Sequence, residues 1–167
     1  ASWDGPYYGG DFGFANDPTA AVKVWIYGER LWIEYDCAKV KLELDDTAQY
    51  VTQRIPGFAD ARSWWDSARP ESISYLQRHG LPSAEGVSKW PGSVEDGIQF
   101  MRSFREIVIH PRCKDTIQEF KLYSYKVDRL SDEIKSDIVD AHNHCIDAIR
   151  YALAPMIKNK TVVFGKL

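Results

Sequence analysis

Residues 20–27 (AAVKVWIY) and 30–36 (RLWIEYD) are runs rich in β-branched and aromatic side chains, and only Gly28-Glu29 separates them. Two such runs joined by two residues form an antiparallel hairpin, because the tight turn needs a positive φ that glycine adopts without steric cost. A further strand is predicted ahead of the hairpin over residues 7–14, an aromatic and glycine-rich stretch followed by the turn-forming Asn16-Asp17-Pro18. Residues 7–36 therefore predict an antiparallel three-strand meander, and such a sheet needs other elements to cover its apolar faces.

The remainder alternates. A helix is expected over 44–54, closed by Pro56-Gly57, then a short strand over 61–65 that delivers Asp66. Pro70 opens a helix to 79 with Gly80 behind it, and a short strand follows over 86–89. Ser93 opens a helix to about residue 104, then come a strand over 106–110, a helix over 112–121, a hairpin-like excursion over 123–139 and a closing helix over 140–156. The fold class is α/β: a central mixed β-sheet with an antiparallel three-strand meander and helices on both faces, the layout of an RNase H-like sheet. With 167 residues, no repeat and no linker, residues 1–167 are expected to form one domain. No stretch approaches the roughly 20 apolar residues of a membrane span, so no membrane partner is expected. Cys37, Cys113 and Cys145 match no zinc spacing and are expected as buried, reduced thiols, which fits a reducing cytoplasm. The net charge of -3 argues mildly against a dedicated nucleic-acid binder, yet acids gathered at a metal site would lower the total while basic loops still hold phosphates.

Three acids stand where a charge needs a reason. Asp11 follows Gly9-Gly10 in an apolar strand, where it is either a strand-end residue satisfied by backbone amides or a ligand. Asp66 ends the run Trp64-Trp65 before a proline-opened helix, so it reads as an N-cap or as a carboxylate at a strand end, where sites on α/β sheets form. In the closing helix Asp140, His144 and Asp147 fall at i, i+4 and i+7, one polar stripe beside the apolar stripe of Ala141, Cys145, Ala148, Ile149 and Ala152. Asp140 also suits a helix N-cap. Two unit charges about 4 Å apart repel by roughly 4 kcal/mol at an effective dielectric near 20, so acids that converge call for cations. Oxygen-only donors select Mg²⁺ or Mn²⁺, and two such ions suit phosphodiester chemistry without a protein nucleophile.

Gly10-Asp11-Phe12-Gly13, the following Asp17-Pro18-Thr19, and above all Asn143-His144-x-x-Asp147-Ala148-x-Arg150-Tyr151-Ala152 resemble the nuclease domain of tailed-phage terminase large subunits. That resemblance implies a two-metal endonuclease that cuts concatemeric viral double-stranded DNA during packaging with little sequence preference, in the cytoplasm of the infected or lysogenic bacterial host. It implies Asp11, Asp66 and Asp147 as catalytic metal ligands for two Mg²⁺ or Mn²⁺ ions, with His144 in a supporting role. Asp17 orients the site or forms a turn, and Arg150 and Tyr151 are structural, Arg150 in an ion pair. The implied partners are double-stranded DNA, an ATPase domain of the same polypeptide, the portal protein and the small terminase subunit. No GxxxxGK[ST] phosphate loop occurs in these residues, so no ATPase domain is expected within them. Possible phosphate partners are Arg62, Arg69, Lys89, Arg102, Lys121, Lys126 and Arg129, with Lys126 and Arg129 favoured. Two other readings remain open: a resolvase- or integrase-type nuclease on the same fold, and a docking module with little activity without its motor domain.

Overall fold

The computed structural model describes residues 2–129 and 143–164, with the backbone alone for 124–129 and 158–164. The meander is present as β1 (Asp4–Asp11), β2 (Thr19–Tyr27) and β3 (Arg30–Lys39). Gly28 and Glu29 both take positive φ, 61° and 62°, the type I′ geometry whose twist matches paired strands. β1 begins and ends three residues earlier than the sequence predicts. Beyond Asp11 the chain leaves the sheet, because Gly13 N donates to Thr19 Oγ1 and that hydroxyl donates to Gly13 O, both at 3.1 Å. Those bonds tie off the 12–18 connection at the start of β2.

Three parallel strands extend the meander: β4 (Ser63–Asp66) beside β1, β5 (Ala84–Val87) beside β4, and β6 (Glu106–Ile109) beside β3. The order is β5-β4-β1-β2-β3-β6, with β2 antiparallel to all the others. The mixed sheet and its antiparallel meander are as the sequence predicts.

Side-chain alternation decides which helix covers which face. Ala21, Cys37, Tyr8 and Trp65 point to one face, under α1 (Leu44–Arg54) and α2 (Pro70–Arg78), which contribute Val51 and Leu76. Val22, Val24, Leu31 and Ile33 point to the other, under α3 (Ser93–Arg102), α4 (Lys114–Arg129) and α5 (His144–Phe164). Four of the five residues of the closing helix's apolar stripe, Cys145, Ala148, Ile149 and Ala152, are buried against this face, and Ala141 lies outside the described residues. Its approach to β1 is close. A Cβ on Gly9 would lie 2.1 Å from Ala148 O and 2.7 Å from Ala152 N, so only glycine fits under the helix.

Two predicted helix ends need correction, and β5 lies two residues earlier than the predicted 86–89. α4 runs eight residues past 121, to Arg129, so the excursion over 123–139 starts as continuing helix; 130–142, with Asp140, lie outside the described residues. The closing helix continues to Phe164 through Pro155, past the expected end at 156. Its described part starts at His144, preceded by Asn143, whose carbonyl accepts from Asp147 N at 2.8 Å. The three cysteines are buried and free. No described helix is long and apolar enough to cross a membrane.

Candidate active site

The register of the parallel pair β1–β4 matches Gly10 with Trp65, so the next residues, Asp11 and Asp66, close adjacent strand ends together. Alternation then aims them. Gly10 backs onto the Trp65 ring on the α1–α2 face, whereas Gly9 backs onto α5. Asp11, two residues after Gly9, shares its α5 side. Trp64 packs with Val87, Tyr151 and Ala154, which places Asp66 on the same side. From α5 come His144, Asp147 and Tyr151, on successive turns of one helix face.

The contacts are specific. His144 Nδ1 lies 3.7 Å from Asp11 Oδ2, and its Nε2 lies 3.3 Å from Asp17 Oδ1 on the β1–β2 connection. Asp147 Oδ1 accepts from Arg150 Nη2 at 2.9 Å. Asp66 Oδ1 takes both Lys89 Nζ and Ala68 N at 2.9 Å, and its Oδ2 faces the Tyr151 hydroxyl at 3.4 Å.

The acids sense one another. Burial raises the Asp11 carboxyl above its ordinary value, the neighbouring His144 opposes that, and the charge of Asp66 adds to it. Burial likewise pushes Asp147 up to about 6, with Arg150 pulling down and Asp11 pushing up. Asp66 is the exception: burial raises it, but the Lys89 ammonium and the Ala68 amide outweigh burial and leave it below its ordinary value. His144 is raised by Asp11 first, against its own burial. The Tyr151 hydroxyl is raised far above its ordinary value by burial and then by the charges of Asp11, Asp66 and Asp147. All three carboxylates therefore act on one side chain.

Two carboxylates, the half-buried Asp36 and the buried Glu119, relay position into the site. Asp36 Oδ2 on β3 accepts from Thr116 N at 2.9 Å and Thr116 Oγ1 at 2.8 Å, capping the first turn of α4. From α4, Glu119 accepts from Cys145 N at 2.9 Å and Ile146 N at 3.0 Å, capping the first turn of α5, which carries His144 and Asp147. Burial raises Glu119 to about 7 despite those two amides. Glu119 and Asp147 both have folded values above their ordinary ones. Their contribution to stability is therefore full at low pH and is lost as pH rises through about 6 to 7. In chelator, the thermal midpoint is expected to fall between pH 5 and 7.5, with Glu119 contributing on the order of 2 kcal/mol. Glu119→Gln should flatten that decline while Glu119→Ala lowers the midpoint at pH 5. A midpoint that rises with pH in both wild type and variant would refute the assignment.

The donors suit a hard divalent cation in kind: carboxylate oxygens from two strand ends and a helix, two of them raised by burial and mutual repulsion that a cation would relieve. Among the described residues, however, no three His, Cys, Asp or Glu groups converge as a ready ligand cluster. Asp66 is turned to Lys89 and Asp147 to Arg150. Arg150 is in the ion pair the sequence suggests. Lys89 appears in the sequence as one phosphate partner among seven, and nothing in its spacing couples it to Asp66. Glu119 gave no signal, being one more acid on an amphipathic helix. Tyr151, read as structural, faces Asp66. The side chains of Lys126 and Arg129, in the last turns of α4, lie outside the described residues.

Known proteins share this fold. The model of the terminase RNase H-like domain family matches residues 11–155, a span that includes Asp66 and Asp147. The large terminase subunit of Bacillus phage SPP1 is 36% identical over 157 residues, covering 91% of this chain and 36% of that protein. The chain thus spans about a third of the length of the curated relative it matches. Among solved structures, the large terminase nuclease domain of bacteriophage SPP1 with bound Mn is 29% identical, with a TM-score of 0.73 over 92% of this chain and 87% of that one. The nuclease domain of the P22 large terminase, 18% identical, shares the fold with a TM-score of 0.66 over 90% of this chain and 81% of that one. With more than half its length matched by the family model and the same sheet in those structures, the chain belongs to the terminase RNase H-like domain family.

Proposed function

We propose that this chain is a divalent-metal-dependent endonuclease that cuts double-stranded viral DNA during genome packaging, with little dependence on sequence. The carrying observation is the placement of Asp11 and Asp66 at adjacent parallel strand ends facing the helix that bears Asp147, all three acting on Tyr151. The Mn in the SPP1 nuclease domain supports a divalent ion here as well. Asp11, Asp66 and Asp147 would hold it, with Asp11, between the other two in charge coupling, as the shared ligand of a two-ion site. Such a cation supplies Lewis acidity toward the scissile phosphate when bound. The residues of the chain do the rest. Arg150 orients Asp147, His144 bridges Asp11 and Asp17 and holds a ring proton beside them, and Glu119 fixes the helix end from which His144 and Asp147 project. DNA contacts would be to phosphates, and cleavage should fall steeply with salt. In the whole polypeptide an ATPase domain, the portal and the small subunit would be the partners.

The test is relaxation of supercoiled plasmid, with Mn²⁺ or Mg²⁺ and with chelator. Wild type is expected to nick and linearise plasmid only with metal, and Asp147→Asn to lose at least about a thousandfold in rate, some 4 kcal/mol of barrier. Cleavage in chelator, or full activity of Asp147→Asn, would overturn the reading.

A further inference from the structure

Two of the three acids carry cationic partners, and the partners differ in their freedom to leave. Arg150 on Asp147 has a side chain only 9% exposed, and it is wedged over α3, where a Cβ on Gly97 would lie 2.7 Å from its Cδ. That guanidinium has nowhere to go. Lys89 on Asp66 has a side chain 46% exposed and reaches back from two residues beyond the end of β5. A lysine is a compact charge on a flexible stem, and it exchanges partners where a packed arginine fork does not.

Asp66 Oδ1 is already shared by Lys89 Nζ and Ala68 N. A divalent ion that takes Asp66 meets the ammonium at the same carboxylate. Two positive charges that close repel strongly in a partly buried site, and a divalent ion doubles the repulsion. Lys89 must then move off. Its ammonium lies 5.8 Å from the centre of the Tyr151 ring and its side chain is 46% exposed, so once released it can reach the phosphates of a strand presented to those acids.

We propose that Lys89 is a cation-released phosphate contact: it neutralises Asp66 in the metal-free protein, gives way when a divalent ion takes Asp66, and then pairs with the backbone of the bound DNA strand. The inference rests on the nuclease reading and deepens it. Metal and DNA binding become coupled through one side chain, since the ion frees the charge that the strand uses. A merely structural ion pair would have the opposite signature, because its removal would loosen Asp66 and weaken metal binding.

The experiment compares wild type with Lys89→Met, which keeps the aliphatic stem, and Lys89→Arg. Mn²⁺ binding is followed by calorimetry, and duplex binding by anisotropy in Ca²⁺ between about 50 and 200 mM salt. Lys89→Met is expected to bind Mn²⁺ about three- to tenfold more tightly, yet to bind DNA more weakly, with a salt slope smaller by about one. Lys89→Arg should restore the slope. Unchanged or weaker Mn²⁺ binding by Lys89→Met, or an unchanged slope, overturns the role of Lys89 while wild type still binds Mn²⁺ and cuts. A wild type that binds no Mn²⁺ overturns the nuclease reading and this inference together.

Discussion

Asp11→Asn is expected to erase metal-dependent plasmid cleavage, by at least about a thousandfold, and at the same time to raise the melting temperature of the metal-free protein. Both effects have one cause. Asp11 is buried at the end of β1, its ionised form is disfavoured by that burial and by the charge of Asp66, and it in turn raises Asp147. An asparagine of nearly the same shape removes the charge from all three relations. Lost with the charge would be the ligand proposed to be shared by two cations. The contact of His144 with Asp11 opposes the gain, since an amide does not attract the imidazolium as a carboxylate does. The gain is therefore expected as a few degrees in chelator near neutral pH, and should shrink as pH falls and the native carboxyl takes up its proton. Scanning fluorimetry with and without Mn²⁺ reads both halves. A variant that still cuts, or whose metal-free form melts well below wild type near neutral pH, would show that Asp11 is a structural acid.

The second large effect concerns no ionisable group. Gly9→Val should cost at least about 3 kcal/mol, and the chain is expected to express as insoluble or partly folded material. Any Cβ at Gly9 strikes the backbone of α5 at Ala148 and Ala152, and backbone cannot turn aside as a side chain can. The only relief is to lift α5 from β1, which uncovers Val22 and Ile149 and separates Asp11 from Asp147. Gly86→Ala is the control. Its Cβ would meet the flexible tip of Ile73 at 3.2 Å, and the cost should stay below about 1 kcal/mol. Chemical denaturation of the two variants gives the comparison; similar midpoints would mean that the β1–α5 contact is looser than drawn.

The elements most legible in the sequence are those with a local cause. Residues 44–54 form a helix with the expected bounds because the apolar period and the Pro56-Gly57 stop are both local. The β2–β3 hairpin follows from Gly28-Glu29 for the same reason. The misjudged ends depend on distant partners. β1 stops at Asp11 because Thr19 captures Gly13, and α4 runs on past 121 with Phe120 and Tyr123 packed on the core beside α5. That β6 pairs with β3 in parallel, at the far edge from β5, has no local signal at all.

The candidate site divides the same way. Asp11, Asp66, His144 and Asp147 were visible as acids and an imidazole out of keeping with apolar surroundings, and the fold brings them to one side of the sheet. The residues that govern them were not. Lys89 belongs to the site only because β5 lies beside β4, and Glu119 only because α4 ends its first turns at the start of α5. Their side chains are ordinary surface types, and it is placement rather than type that assigns their roles.

The order of the elements has a consequence during synthesis. Asp11 and Asp66 emerge early, but Asp147 rides on the final described helix, which also roofs β1 and β2. A nascent chain still missing that segment holds two of its acids on a sheet with one face covered by α3 and α4 alone. Until that helix is made, the chain can neither gather all three acids nor fully shelter its hydrophobic strands.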